Sequence, residues 1–304
     1  MTDQAPNSAT RAGFIAILGA PNVGKSTLVN ALVGAKVSIV SPKVQTTRSR
    51  VLGIFIHDAS QVILVDTPGI FQPKRRLDRA MVAAAWSGAE DADAIALVVD
   101  AEAGLDGRTQ AILDRLKAQD RRAFLILNKV DLVAKPKLLG LAQSCMDTGV
   151  FTEAFMVSGK TGDGIPDLAG AFAAAVPEGP WLFPEDEISD MPQRLLAAEI
   201  TREKLYLALH QELPYQLSVD TDTWEEQADG SAKVNQVIYV ARDSQKGIVL
   251  GKGGAMIKRI GAAARQELED MLDRRIHLFL YVKVRENWQE ERESYRQWGL
   301  DFDA

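Results

Sequence analysis

Nine residues, Gly19-Ala20-Pro21-Asn22-Val23-Gly24-Lys25-Ser26-Thr27, constrain this chain more than any other stretch. They follow GFIAILG, an apolar run that reads as a strand, and they open STLVNALVG, which reads as a helix. A glycine turn in that position aims backbone N–H groups at the space before the helix N-terminus, where an anion is favoured. Lysine and serine closing G-x-x-x-x-G-K-S add what a plain turn does not need. Lys25 offers an ammonium to the β- and γ-oxygens of a nucleotide, and Ser26 offers a hydroxyl to Mg²⁺. The spacing predicts a phosphate-binding P-loop and an α/β fold around it.

The stretch Gly13 to Val176 carries the rest of that pattern. Its apolar runs are GFIAILG, VLGIFIH, QVILVD, AIALVVD, AFLILNK and EAFMVSG, with helical stretches between most of them. Only Asp58-Ala59-Ser60 separates the second run from the third, too little for a crossover. These two predict one antiparallel hairpin on a mostly parallel sheet. Asp66-Thr67-Pro68-Gly69 closes the third run. A carboxylate at a strand end can hold a metal through water, and the Gly69 N–H can approach a γ-phosphate. Asn128-Lys129-Val130-Asp131 closes another run, and the two oxygens of Asp131 suit the N1–H and amino group of guanine, not adenine. Ser158-Gly159-Lys160 adds a backbone N–H for guanine O6. In this order the four segments point to GTP and GDP with Mg²⁺, the metal falling to Ser26, Asp66 and a further threonine.

Residues 176–192 hold four of the twelve prolines and five acids, the composition of a linker. Beyond it the rhythm changes to helix, strand, strand, glycine loop with helix, strand, the order of an α+β domain. The loop Gly251-Lys252-Gly253-Gly254 has the G-x-x-G form by which KH domains pin single-stranded nucleic acid. Lys252 at its tip, with Lys258 and Arg259 beyond, supplies charge for phosphates. Net charge is −6 overall, yet Ala232 to Arg285 holds eleven lysines and arginines against five acids, a local +6. A polyanion is expected there.

GAPNVGKSTLVNALVG with VQTTR, and then EITREKLYLALHQELPY, KGIVLGKGGAMIKRIG and HLFLYVKVRENW, resemble the Era family of bacterial GTPases over nearly the whole length. The resemblance implies a P-loop GTPase domain followed by a type II KH domain. It predicts a disordered N-terminus over 1–11, the GTPase domain over 12–178, a linker over 179–193, and the RNA-binding domain with its C-terminal tail over 194–304. It further implies binding to the 3′ end of 16S ribosomal RNA and to the 30S subunit during maturation, in the cytoplasm, with peripheral association at the inner membrane. A monomer is expected. The switch threonine that binds Mg²⁺ in such proteins falls on Thr46 or Thr47 of Gln45-Thr46-Thr47-Arg48, and the sequence leaves both open. Lys25, Asn22, Gly69 and that threonine are the expected catalytic groups.

After DTPG stands Ile70, where a water-orienting glutamine would be expected, so slow intrinsic turnover follows. Asn22 matches the position that holds a monovalent cation in related GTPases, which makes K⁺ a candidate activator, and it is equally a turn-stabilising residue. Ser41 to Arg50 and Gly69 to Leu77 are the segments through which nucleotide state could gate RNA affinity.

One cysteine, Cys145, excludes a disulfide framework and reads as a packing residue. The polar start lacks the apolar core of a signal peptide, and no later run reaches membrane-spanning length. His57, His210 and His277 show no metal spacing. A metabolic ATPase or kinase would leave the NKVD segment idle, and an inert scaffold would not need Lys25 and Thr46-Thr47. A GTPase whose second domain binds another RNA or a membrane surface is the alternative, and REKLYLALH is amphipathic enough to suit either packing or a membrane.

Overall fold

The computed structural model describes residues 10–43, 46–48, 50–209 and 213–304, less the side chains of residues 289, 293, 294 and 297. Residues 1–9, Gln45 and His210 lie outside the described residues. Contacts divide the chain into two units: Met1–Ser38 with Thr47–Asp190 and Trp298–Ala304, and Ile39–Thr46 with Met191–Gln297.

In the first unit, strands β1 (Arg11–Leu18), β2 (Val51–His57), β3 (Ser60–Asp66), β4 (Ala94–Asp100), β5 (Ala123–Asn128) and β6 (Phe151–Met156) form one sheet. The order is β2-β3-β1-β4-β5-β6. Only β2 and β3 run antiparallel, as the short connection between them requires. Five helices cover it: α1 (Lys25–Val33), α2 (Arg76–Glu90), α3 (Gly107–Ala118), α4 (Lys135–Met146) and α5 (Ile165–Ala175). Alternate residues of β1 feed two cores. Ile15 and Ile17 join Leu28, Val29 and Phe172 on one side, and Ala16 and Leu18 join Trp86, Ile112 and Leu116 on the other. Cover on both faces is why the central strands read as continuous apolar runs. Cys145 is buried in the second of these cores, and burial pushes its thiol up to about 11, so it packs as a small hydrophobe.

Three expectations need correction. Arg11 already pairs within β1, so order begins before residue 12. The proline-rich segment is not a free linker up to Asp190. Ile188 accepts from the Ile54 N–H at 2.9 Å, and Gln61 is bonded to the backbone of Leu182 and Phe183, so the segment covers the open edge of β2. An uncovered edge strand is an aggregation hazard, which gives the strap a physical purpose. The last residues belong to the first unit: Arg48 and Arg76 stack on the rings of Trp298 and Phe302.

The second unit contains α6 (Gln193–Ala208), β7 (Leu217–Glu226), β8 (Ala232–Val240), α7 (Asp243–Leu250), α8 (Ala255–Leu272), β9 (Ile276–Val284) and the short α9 (Arg292–Gln297). Its sheet is ordered β7-β8-β9, antiparallel then parallel. The sequence reading missed α7. Gln245 caps it by accepting from the Ala241 and Arg242 N–H groups, a signal overshadowed by the Ile248-Val249-Leu250 run. Leu205 and Tyr206 are buried, so the amphipathic segment of α6 spends its apolar face on packing. Val40 N–H donates to Glu203 at 2.7 Å, Lys43 donates to the Tyr206 and Leu209 carbonyls, and Arg202, paired with Glu199, donates to the Thr46 carbonyl. These bonds fasten Val40, Lys43 and Thr46 to α6 and the residue after it. Among the described residues no helix is long and apolar enough to cross a membrane.

Candidate functional site

The glycine turn lies between the end of β1 and the start of α1, and the ends of β3 and β5 bring the other motifs to the same side of the sheet. Lys25 is buried and donates to the carbonyls of Gly19 and Ala20 at 3.1 and 3.2 Å. Asp66 is fully buried and accepts from Ser26 Oγ at 2.8 Å and Ser38 Oγ at 2.7 Å, both on Oδ2. Its Oδ1 is a buried oxygen without a hydrogen-bond partner among the described residues. Burial raises the Asp66 carboxyl above its ordinary range, opposed by the Lys25 charge and by bonds from Ser38, Ser26 and Thr47. Burial likewise lowers Lys25 to about 8, opposed by Asp66. A buried ammonium and an under-satisfied carboxylate are costly to keep unless a charged ligand answers them.

Of the two threonines the sequence leaves open, Thr47 is at this cluster: its Oγ1 is 2.9 Å from Ser26 Oγ. Thr46 turns its hydroxyl to the Lys43 carbonyl, 2.8 Å away. Hydroxyls of Ser26 and Thr47 with the Asp66 carboxylate make an all-oxygen donor set, the chemistry of Mg²⁺. The orphaned Asp66 oxygen shows that these residues fit such an ion. Ser38 had no signal in the sequence. Thr67 spends its hydroxyl on the Ile17 carbonyl at 2.8 Å, so it fixes the strand end. The Ile70 N–H donates to Gly19 O at 3.0 Å and its side chain is buried in the core, which locks the start of the loop after DTPG. A Cβ on Gly69 would lie 2.9 Å from Pro21, so only glycine lets these two loops approach.

The Asn128 to Asp131 and Ser158 to Lys160 segments are bolted to the glycine turn by Asn128. Its amide donates to Val23 O at 2.9 Å and accepts from Gly159 N–H at 3.0 Å. Lys129 bridges Asn22 O at 2.8 Å and the Asp100 carboxylate at 2.7 Å. Ser158 Oγ accepts from the Thr161 N–H at 3.2 Å, which orders the turn that presents Gly159. Asp131 and Lys160 are exposed beside it. The structure therefore brings together Gly19 to Thr27, Asp66 to Gly69, Asn128 to Asp131 and Ser158 to Lys160.

In the second unit, Gly251, Gly253 and Gly254 all take positive φ (73°, 60° and 77°), so the tip of the loop adopts a path that side chains disfavour. Space around Gly253 is open, and no side chain caps the N-terminus of α8. Lys252, Lys258 and Arg259 are exposed around it, and Ile248 on α7 stands 55% exposed beside the loop. A helix N-terminus without a side-chain cap, flanking cations and an exposed isoleucine fit a sugar-phosphate strand with unstacked bases.

The family described as 50S ribosome-binding GTPase matches residues 14–129, and the KH domain family matches residues 212–289. GTPase Era of Afipia carboxidovorans is 59% identical over 293 residues, spanning 96% of this chain and 95% of that protein. GTPase Era of Rhizobium meliloti is 57% identical over 307 residues, spanning 99% and 98%. Among solved structures, Era in complex with MgGDPNP and nucleotides 1506–1542 of 16S ribosomal RNA aligns with a TM-score of 0.90 at 38% identity. That alignment covers 95% of this chain and 99% of the other, and a variant of Aquifex aeolicus Era bound to GDP·AlF4⁻ aligns equally well.

Proposed function

Because the chain belongs to the Era family of GTPases, we propose that it binds and hydrolyses GTP with Mg²⁺ and uses its second unit to hold the 3′ end of 16S ribosomal RNA during 30S subunit assembly. The observation that carries this reading is the convergence of Lys25, Ser26, Thr47 and Asp66 in a chain that also carries an uncapped helix N-terminus after a G-x-x-G loop. Lys25 is drawn from the Gly19 and Ala20 carbonyls to phosphate oxygens. Ser26 and Thr47 would hold the metal directly and Asp66 would orient it, while Asp131 takes the guanine edge. Mg²⁺ held by these residues would offset negative charge on the phosphates as the terminal one is transferred to water. With Ile70 in the core, the chain orients the attacking water through backbone N–H groups such as that of Gly69.

Gating by nucleotide would run through the chain segment at Thr46 and Thr47. The chain passes from the second unit to the first between Thr46 and Thr47, and Val40 and Thr46 are fastened to α6. Drawing Thr47 toward a metal loads that segment, so GTP and GDP would favour different arrangements of it.

The test uses the full-length chain, nucleotides 1506–1542 of 16S ribosomal RNA and a scrambled RNA, at fixed salt, with GDP and with a non-hydrolysable GTP analogue. Selective binding that tightens with the analogue is expected. The double substitution Gly253→Asp with Gly254→Asp should weaken it by about tenfold or more, since aspartate tolerates left-handed backbone while its charge repels phosphate. Unselective binding in both states would overturn the RNA reading. A potassium ion beside Asn22 is part of the proposal: its φ of 65° holds the loop in a rare conformation, with its carbonyl on Lys129. Hydrolysis should run faster in KCl than in NaCl at matched ionic strength, and equal rates would remove the ion.

A further inference from the structure

The second unit carries a basic and aromatic surface that the G-x-x-G loop does not use. Even-numbered residues of β9, from Ile276 to Val284, turn into the cores built with α6, α7 and α8. The odd-numbered ones face out, and here the usual alternation of apolar inside and polar outside fails. Phe279 is 46% exposed and Tyr281 52% exposed, between His277 and Lys283. In the parallel register Phe279 lies beside Asn235 and Tyr281 beside Val237, with Lys233 next to His277. Phe279, Tyr281, Asn235, Val237, Lys233 and Lys283 line a shallow groove of about 430 Å³, with Asp222 the acid among its lining residues. Lys233 is tied to Glu225 at 3.5 Å, and among the described residues Lys283 has no acidic partner.

We propose that this open face of the β7-β8-β9 sheet is a second contact for single-stranded RNA, with one unpaired base stacked on Phe279, a neighbouring base on Tyr281, and Lys233 and Lys283 on the backbone. Two residues of parallel strand advance about 6.6 Å. Paired bases in a helix repeat at about 3.4 Å per strand, so an intact duplex cannot seat adjacent bases on both rings, whereas an extended strand can. A sequence-tolerant stacking platform needs aromatic faces, flanking cations and little else, and the groove has that set. A purely apolar protein partner would meet Lys233, Asn235 and Lys283 at the rim and leave them unanswered. Since β9 is the outer strand of the sheet, RNA leaving the glycine loop has one strand to round before it reaches this face.

The inference extends the RNA reading of the second unit and shares its ligand class, so the test separates the two surfaces. The full-length chain, in the GTP analogue, is titrated with hexanucleotides tiled through nucleotides 1506–1542 and with the whole segment. The substitutions are Phe279→Ala with Tyr281→Ala, and Phe279→Leu with Tyr281→Leu. All four remove exposed rings, so the fold is kept. Both pairs should weaken the whole segment by about tenfold or more, because leucine keeps apolar area but cannot stack. The tightest hexanucleotide, filling only the glycine-loop groove, should bind unchanged. Ultraviolet irradiation of the complex with unaltered protein should attach RNA to the peptide bearing Phe279 and Tyr281. Unchanged affinity for the whole segment, or leucine serving as well as the aromatic rings, would overturn the platform. Failure of every hexanucleotide to bind would instead count against the glycine-loop groove.

Discussion

Thr47→Ala is expected to slow single-turnover GTP hydrolysis by about a hundredfold, while Thr46→Ala leaves it within about threefold. The two residues are neighbours of the same type, and the difference lies in where each hydroxyl points. Thr47 Oγ1 is 2.9 Å from Ser26 Oγ and supports the buried Asp66 carboxylate. Thr46 Oγ1 serves the Lys43 carbonyl, so its loss costs one local hydrogen bond, about 1 kcal/mol of stability, away from the donor set. The Mg²⁺ concentration needed for half-maximal rate should rise for Thr47→Ala alone. If Thr46→Ala proves the more damaging change, the switch segment must exchange the two threonines when nucleotide binds, and the assignment of Thr47 falls.

Strand ends were the most legible part of the site, for a physical reason. A P-loop, an aspartate closing an apolar run and an Asn-Lys-x-Asp turn each sit where periodicity stops, and a parallel sheet brings all strand ends to one side. The choice between Thr46 and Thr47 was not legible, because it depends on contacts with α6 and β3 made over separations of many residues. Ser38 was invisible for the same reason: a lone serine after a valine carries no pattern until Asp66 is placed beside it. The proline-rich segment was misjudged because composition reports low propensity for regular structure, and an edge-covering strap needs only backbone hydrogen bonds. Helix α7 was hidden because Ile248-Val249-Leu250 looks like a strand ending, whereas its cap depends on Gln245 reaching back to the Ala241 and Arg242 N–H groups. In β9 the sequence showed an apolar run, and only the register revealed that Phe279 and Tyr281 fall on the uncovered side.

Asn128→Ala is expected to lower GTP affinity by about a hundredfold and to reduce thermal stability, though Asn128 need not touch the nucleotide. Its side chain is 2% exposed and holds two backbone groups from different loops, Val23 O and Gly159 N–H. Truncation leaves both unpaired, the Val23 carbonyl buried at about 1–3 kcal/mol and the half-buried Gly159 N–H at somewhat less, and the two losses are coupled because one side chain makes both bonds. The glycine turn before α1 and the Ser158 to Lys160 turn would then order separately, so binding must meet that ordering cost each time. Asp131→Asn provides the contrast. Asp131 is exposed, so its amide variant should keep the melting temperature and lose preference for GTP over nucleotides lacking the guanine donor edge. Calorimetric titration with GTP and ATP, beside thermal unfolding without nucleotide, separates the two effects. If Asn128→Ala matched Asp131→Asn in both measurements, Asn128 would act on the base directly, and its role in joining the loops would be lost. Asn128→Asp sharpens the point: it keeps the acceptor for Gly159 N–H but sets a carboxylate against the Val23 carbonyl. Stability should therefore fall at least as far as in the alanine variant, because a buried repulsion replaces a missing bond.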